Sequence, residues 1–580
     1  MLVIAGISCR LQPGMAACGS GYRQVSRSRT RARNKDMVGM EATPRLSRRR
    51  PVLRAAWLAA AFVAAAGTAT AADWPMISHD PSGNHSQPDE TAISAANVSR
   101  LAPHWVLTVA GIVTATPAVV NGAVYFPDSG GKFWKVDART GRVAWSVSVA
   151  ELTGGGKASS RTSPAYADGM VFIGANAGAQ LIAVDAGTGR KRWMTQLDTH
   201  PSALLTGSPV VVGDRIYMPV SSNEQMAAAK PGYACCTFRG SLVALDIHTG
   251  KIVWKTYTMP DNGGRAGGFS GGAALAIPAV DAEKGIIWFA TDHQYTQPES
   301  VVACLAGAAD DWKPGCYPPD ARFNSLVALD LATGQPKWSF RGSGADVYRF
   351  ACGTLPQPWD ALAKDYTGAG PARYCPPAGD FLDWSFATGS PQLFRATAGG
   401  KPRDLVGVGE KSGIYWVFDA LTGEPVWHTL IGPYSEPGGI TWGAAYDGNR
   451  IYVTLANVDH TPYRLASGRI AEGGFWTALD PATGKVVWQT AEPKGALVYA
   501  APVVANGVLY VSSLEKGEGK QLYALDPATG AILWQFSTGG SVMAHPAVAD
   551  GMVFWGSGAP SWFPEAVGND KVFGLSVDGR

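Results

Sequence analysis

The chain has 580 residues, with 70 Gly, 39 Pro and 20 Trp, 46% apolar residues and only 16% charged ones, so neither general disorder nor a polytopic membrane protein fits. Its formal charge of +3 invites a nucleic-acid partner, but residues 1–71 hold 12 Lys+Arg against only Asp36 and Glu41. Taking these from the totals of 49 and 46 leaves 37 basic and 44 acidic residues, a net of −7, and the case for nucleic acid goes with the leader.

Residues 1–71 read as a leader that ends in a secretory signal. Arg48-Arg49-Arg50-Pro51-Val52-Leu53-Arg54 forms a basic region, Ala55 to Ala66 an apolar run, and Ala69-Thr70-Ala71 a small-residue cleavage site. The apolar run is too short to span about 30 Å of hydrocarbon, so no membrane span is expected after cleavage. The residues before Met37 or Met40 belong to neither signal nor fold, which makes either methionine an alternative start. The expected location is the periplasm or outside the cell, where disulfides persist.

From residue 72 onward the chain is repetitive. VDARTGRVAW (136–145), VDAGTGRKRW (184–193), LDIHTGKIVW (245–254), LDLATGQPKW (329–338), FDALTGEPVW (418–427), LDPATGKVVW (479–488) and LDPATGAILW (525–534) are seven copies of one phrase. Each reads as a strand, an Asp-x-x-Thr-Gly turn whose glycine takes positive φ, and a second strand carrying tryptophan. Ahead of each copy runs a further strand pair, as in ATPAVVNGAVYF (115–126), TSPAYADGMVFI (162–173) and GSPVVVGDRIYM (207–218). An eighth pair, AHPAVADGMVFW (544–555), is followed by one more strand, KVFGLSVDG (571–579), and the chain then ends. The missing strand stands at the other end, in LAPHWVLTV (101–109). The expectation is an all-β, eight-bladed propeller over 72–580, closed by pairing of the N-terminal strand with the C-terminal blade.

With strands A to D in each blade, the A–B and C–D turns share one face, and the B–C turns and blade links share the other. The insertions at 221–240, 292–325, 339–390 and 456–474 all belong to the second face, which is therefore the expected functional one. All six cysteines beyond the leader lie there: Cys304 with Cys316 and Cys352 with Cys375 could close local disulfides, and Cys235-Cys236 is a vicinal pair. Six cysteines allow 15 connectivities, so the sequence alone assigns none. No Cys-x-x-Cys-His occurs, so no c-type haem is expected on the chain.

These repeats, together with VSSNEQMAA (220–228), YACCTFRGSLVALD (233–246) and EKSGIYWVFDALTG (410–423), resemble the quinoprotein alcohol dehydrogenases, and among them those acting on polyvinyl alcohol. That family holds pyrroloquinoline quinone (PQQ) and Ca2+ on the propeller axis. The resemblance implies Glu224 as a metal ligand, Lys411 as a cation at the quinone oxygens, and Arg161 as the partner of a PQQ carboxylate. Thr206, Trp442 and the Cys235-Cys236 pair would line the cofactor. Three positions depart from the pattern. Leu275 stands where a tryptophan usually lies under the quinone, and His293 where an asparagine binds the metal, with Asp292 or Gln294 as oxygen donors in its place. The aspartate motif is altered at Asp346-Val347-Tyr348-Arg349, so the preferred base is Asp383, with Asp380 the second choice.

The implied function is oxidation of a secondary alcohol, polymeric or small, with electrons passed to a separate cytochrome c or similar acceptor. The competing class is a non-catalytic propeller acting as a protein-binding scaffold. A hydrolase reading rests on Gly268-Phe269-Ser270-Gly271-Gly272, which lacks the strand-turn-helix setting a nucleophile elbow needs.

Overall fold

The computed structural model describes residues 72–580 apart from 229, 231, 307–314, 343–346, 348–384, 387, 436–437, 562 and 564. Eight four-stranded antiparallel sheets follow one another at 118–148, 165–196, 210–257, 279–341, 392–430, 440–491, 503–536 and 547–577, the last completed by Leu101–Thr108. That N-terminal strand pairs antiparallel with Lys571–Val577 along its whole length, from Leu101 opposite Val577 to Thr108 opposite Lys571. The expected closure of an eight-bladed ring is what the structure shows.

Within a blade, burial falls from the axis outward. The second strand of the second blade, Met170–Gly174, is buried throughout, whereas its fourth, Lys191–Gln196, is half-buried or exposed. The repeated turn shows why its residues recur. Asp137 Oδ1 accepts the Thr140 backbone N–H at 2.8 Å and its hydroxyl at 2.7 Å, and Gly141 follows at φ +69°. The glycine answers a second demand as well: a Cβ at Gly334 would lie 2.6 Å from the Trp254 ring of the preceding blade. The eight tryptophans therefore dock on the next blade's turn, and each indole N–H donates to a carbonyl there: Trp105 to Ala138, Trp145 to Ala186, Trp193 to Ile247, Trp254 to Leu331, Trp338 to Ala420, Trp427 to Pro481, and Trp488 to Pro527. The eighth, Trp534, donates to Leu101 at 2.8 Å, so the seam uses the same contact as the rest of the ring.

One element has no counterpart among the repeats. Residues 72–93 form a strap that crosses the inner strands in turn. Trp74 exchanges backbone hydrogen bonds with Val119 of the first blade. The carbonyls of Pro75, Pro81, Ser82, Asn84 and His85 accept from Tyr166, Val280, Leu393, Tyr446 and Val504. Ser86–Gln87 then pairs parallel with the seventh blade, and Gln87 Nε2 donates to Val548 of the eighth. Asp73 also receives the Asn121 N–H of an A–B turn, so the strap begins on the short-turn side.

The opposite side carries the insertions. The third-blade insertion holds the short helix Glu224–Ala227, the fourth-blade insertion a strand Gln294–Thr296 and helix Glu299–Leu305, and the sixth-blade insertion a small hairpin, Tyr463–Arg464 with Ile470–Ala471. Disulfides join Cys304 to Cys316 and Cys235 to Cys236. Cys352 and Cys375 lie outside the described residues. None of the described helices is long and apolar enough to cross a membrane.

Candidate cofactor cavity on the propeller axis

A cavity of about 200 Å³ lies on the axis of the insertion-bearing side, lined by the links that lead into the inner strands. Thr114 and Thr116 come from the first link, Ser160, Arg161 and Ser163 from the second, Thr206 and Ser208 from the third, and Met543 and His545 from the last. Ile77 of the strap also contributes to the wall. A serine or threonine before proline recurs at 116, 163 and 208, and these residues clasp one another: Thr116 N–H donates to Ser163 Oγ at 2.8 Å, and Ser163 N–H to Ser208 Oγ at 2.9 Å. His545 occupies the same place in the eighth repeat.

Of the residues expected to hold the cofactor, Arg161, Thr206 and Trp442 meet in this cavity. Arg161 reaches the void, yet is deep enough that loss of water lowers its pKa. Its guanidinium carbon stands 5.9 Å from the Trp442 ring centroid, and no carboxylate among the described residues forms an ion pair with it. Trp442 sits at φ +60° in a bulge of the strand Ile440–Tyr446, an uncommon conformation for a bulky residue, and the bulge turns that position toward the cavity. Thr206 Oγ1 shares a 2.9 Å hydrogen bond with Ser221 Oγ. A polar pocket with a guanidinium, several hydroxyls and one indole fits a flat polyanion such as PQQ.

The other expected residues lie outside the cavity wall. Cys235 and Cys236 are buried in the core packed around the third blade, beside Phe238, and Leu275 packs against that same core. Lys411 is buried at the fifth blade's B–C turn, its N–H donating to the Ser385 carbonyl. Glu224 is fully buried. Its Oε1 accepts from the Tyr233 hydroxyl at 3.0 Å and the Thr237 N–H at 2.9 Å, and its Oε2 from the Phe238 N–H at 2.8 Å. Burial alone would raise its pKa, but the His200 ring and the Phe238 and Thr237 N–H groups outweigh it and hold the carboxyl below its ordinary value. His293 is equally enclosed, with Nε2 2.9 Å from Gln225 Oε1 and Nδ1 2.7 Å from Asp292 Oδ1. Among the described residues no three His, Cys, Asp or Glu side chains converge as a metal set. As placed, Glu224 and His293 do not offer a calcium site, because a hard cation would have to take its oxygens from backbone donors. Asp380 and Asp383 lie outside the described residues.

What the sequence reading passed over is the wall itself: the residue before proline at the start of four inner strands, in the first, second, third and eighth blades. The signal was visible, since Thr116, Ser163, Ser208 and His545 occupy one column of the repeat and that column opens on the axis.

Known proteins agree with this architecture in two stages. Solved structures of a quinohemoprotein alcohol dehydrogenase from Comamonas testosteroni (TM-score 0.63, 21% identity, 88% of this chain and 81% of that one) and of a europium-containing methanol dehydrogenase (0.61, 17%, 87% and 98%) share the fold. A family model described as outer membrane protein assembly factor BamB matches residues 86–230 and 472–576, leaving out the fourth and fifth blades together with the outer strands of the third and the inner strands of the sixth. The chain is a homologue of the quinoprotein alcohol dehydrogenases. Within them it is similar to two polyvinylalcohol dehydrogenases, from Sphingopyxis sp. strain 113P3 (29% identical over 537 residues, 84% of this chain and 74% of the relative) and Pseudomonas sp. (26% over 535 residues, 84% and 74%). It is also similar to quinohemoprotein alcohol dehydrogenase ADH-IIG of Pseudomonas putida (27% over 417 residues, 70% and 51%).

Proposed function

We propose that this protein is a PQQ-dependent alcohol dehydrogenase that oxidises a secondary alcohol, of the polyvinyl-alcohol kind or smaller, to a ketone. The observation that carries the reading is Arg161, a guanidinium on the axial cavity without a carboxylate partner among the described residues. An uncompensated cation in such a place calls for an anionic ligand. Held there, PQQ supplies a two-electron acceptor. Arg161 would bind one of its carboxylates, Thr206 and Ser208 would hydrogen-bond its polar edge, and Trp442 would pack on the ring system.

The alcohol gives up two electrons and two protons to become a ketone, and the reading assigns removal of the hydroxyl proton to Asp383, with Asp380 as the second choice. Lys411 does not line the cavity, so its expected place at the quinone oxygens, where a cation would favour the charge that builds up on reduction, rests on the family resemblance alone. Glu224 and His293 are left out of the chemistry because their polar atoms face protein partners. The signal-like residues 48–71 support a periplasmic or secreted enzyme that passes electrons to a separate cytochrome c or similar acceptor.

The test is titration of the purified chain with PQQ, followed by dye-linked oxidation of secondary alcohols including polyvinyl alcohol. Saturable binding and PQQ-dependent dye reduction are expected. A chain that binds no PQQ and oxidises no alcohol would instead be a scaffold, the reading that the assembly-factor match favours.

A further inference from the structure

His545 brings a titratable ring to the cavity that no expected cofactor residue accounts for. It lines the cavity from the link into the eighth blade and is only 4% exposed. Its Nδ1 is sealed in protein with no hydrogen-bond partner. The neighbouring ring is His85 of the strap, edge-on with centroids 5.5 Å apart. His85 Nδ1 lies 3.1 Å from the Ala444 carbonyl, so that nitrogen carries the proton and Nε2 is left a lone pair. That Nε2 is likewise buried without a partner. Two orphaned imidazole nitrogens from adjacent rings thus stand behind the cavity wall.

From this arrangement we infer that His545 takes up a proton when an anionic cofactor enters the cavity and becomes a second cationic contact beside Arg161. The imidazolium form alone satisfies both sides. Its Nδ1–H can turn to His85 Nε2, the unpartnered acceptor of the adjacent ring, and its Nε2–H is left to donate to the ligand. The need is electrostatic as well: PQQ carries three carboxylates, and Arg161 is the one cation that lines the cavity among the described residues. In the ligand-free protein, burial and the adjacent His85 hold His545 well below the ordinary histidine range, so it starts neutral. His85, kept to about 4 by burial, does not compete for the proton. The charged or titratable groups that bear on the pair are His85 itself, Arg161 across the cavity, and Asp80 of the strap, which acts on His85. The proton comes from buffer, and no bond to the cofactor is made or broken.

The inference rests on the PQQ reading but can fail separately from it. Calorimetric titration of the full chain with PQQ in buffers of different ionisation enthalpy counts protons taken up. The wild type should take up close to one proton per PQQ near pH 6.5 and fewer toward pH 9, with affinity falling as pH rises. His545→Gln keeps a neutral donor and should bind roughly tenfold more weakly, with no proton uptake. Its melting temperature without ligand should match the wild type, which separates loss of a ligand contact from damage to the fold. Wild-type binding without proton uptake, or uptake that persists in His545→Gln, would overturn the role of His545 and leave the cofactor assignment standing. No binding by the wild type would overturn the cofactor assignment itself.

Discussion

Replacing Glu224 by Gln separates a carboxylate that holds a loop from one that holds a metal. In the structure both oxygens are spent on the segment Tyr233–Phe238, which carries the vicinal disulfide. An amide keeps one acceptor but turns an NH2 toward a backbone N–H that now sits 2.8 or 2.9 Å from oxygen. The loss of one charge-assisted hydrogen bond, about 1.5–3 kcal/mol, adds to the cost of a buried donor without an acceptor, about 1–3 kcal/mol. A destabilisation of about 3–5 kcal/mol follows, and for a chain of this size that lowers Tm by roughly 1 °C per kcal/mol. Chymotryptic cleavage after Tyr233, whose hydroxyl Glu224 accepts, should become faster in the variant. The pH dependence has a definite sign. The folded-state pKa is depressed, so the contribution is present above the unperturbed value of 4.5 and is lost as pH falls through the lower folded value, where wild type and variant converge. An unchanged Tm and cleavage rate, together with loss of calcium-dependent PQQ binding, would refute this account and make Glu224 a metal ligand.

Three further outcomes are expected. Gly334→Ala combines a residue at φ +70° with a Cβ 2.6 Å from the Trp254 ring and should cost about 2–4 kcal/mol, whereas Gly122→Ala, at φ +71° with nothing within 4 Å, should cost only about 1–2 kcal/mol by thermal unfolding. Arg161→Met should weaken PQQ binding roughly 10- to 100-fold by calorimetry while leaving the ligand-free protein as stable as before or more so, because it removes an unpaired cation from a partly desolvated site. Changing both Cys304 and Cys316 to Ser opens a loop of 12-residue separation, worth about 3 kcal/mol, and the pair in the native protein should resist alkylation until reductant is added.

The ring was legible because its signals are local and repeated. Asp-x-x-Thr-Gly needs only four neighbours to make its turn, and the tryptophan eight residues after the Asp has one place to dock, so seven copies specify both blade and interface. Even the split blade could be read, since the unpaired strand around Trp105 matched the strand missing after Val577. The strap could not, because its hydrogen bonds come from backbone groups of seven different blades and impose no pattern on its side chains. The cavity was half legible. Arg161, Thr206 and Trp442 fell on it, but Glu224 and His293 show how little a residue type says about what its atoms will face: each lies in the expected insertion, and each is met there by protein donors or acceptors. His545 was hidden for the opposite reason, since a histidine before proline has no motif and gains meaning only from His85, 460 positions earlier in the chain.

The strap and the seam strand impose an order of events. Residues 72–108 are the first part of the propeller to leave the ribosome, yet their partners reach from Val119 to Val577. A chain made from its N-terminus can complete inner blades as they emerge, but the seam strand Leu101–Thr108 must wait, unpaired, until Lys571–Val577 is made. Such long-range closure is intrinsically slow, and it leaves an edge strand and an apolar segment in need of protection meanwhile. Once seated, the same stretch holds the first and last residues of the ring in a single joint, so the ring can reopen only by releasing the strand and the strap together.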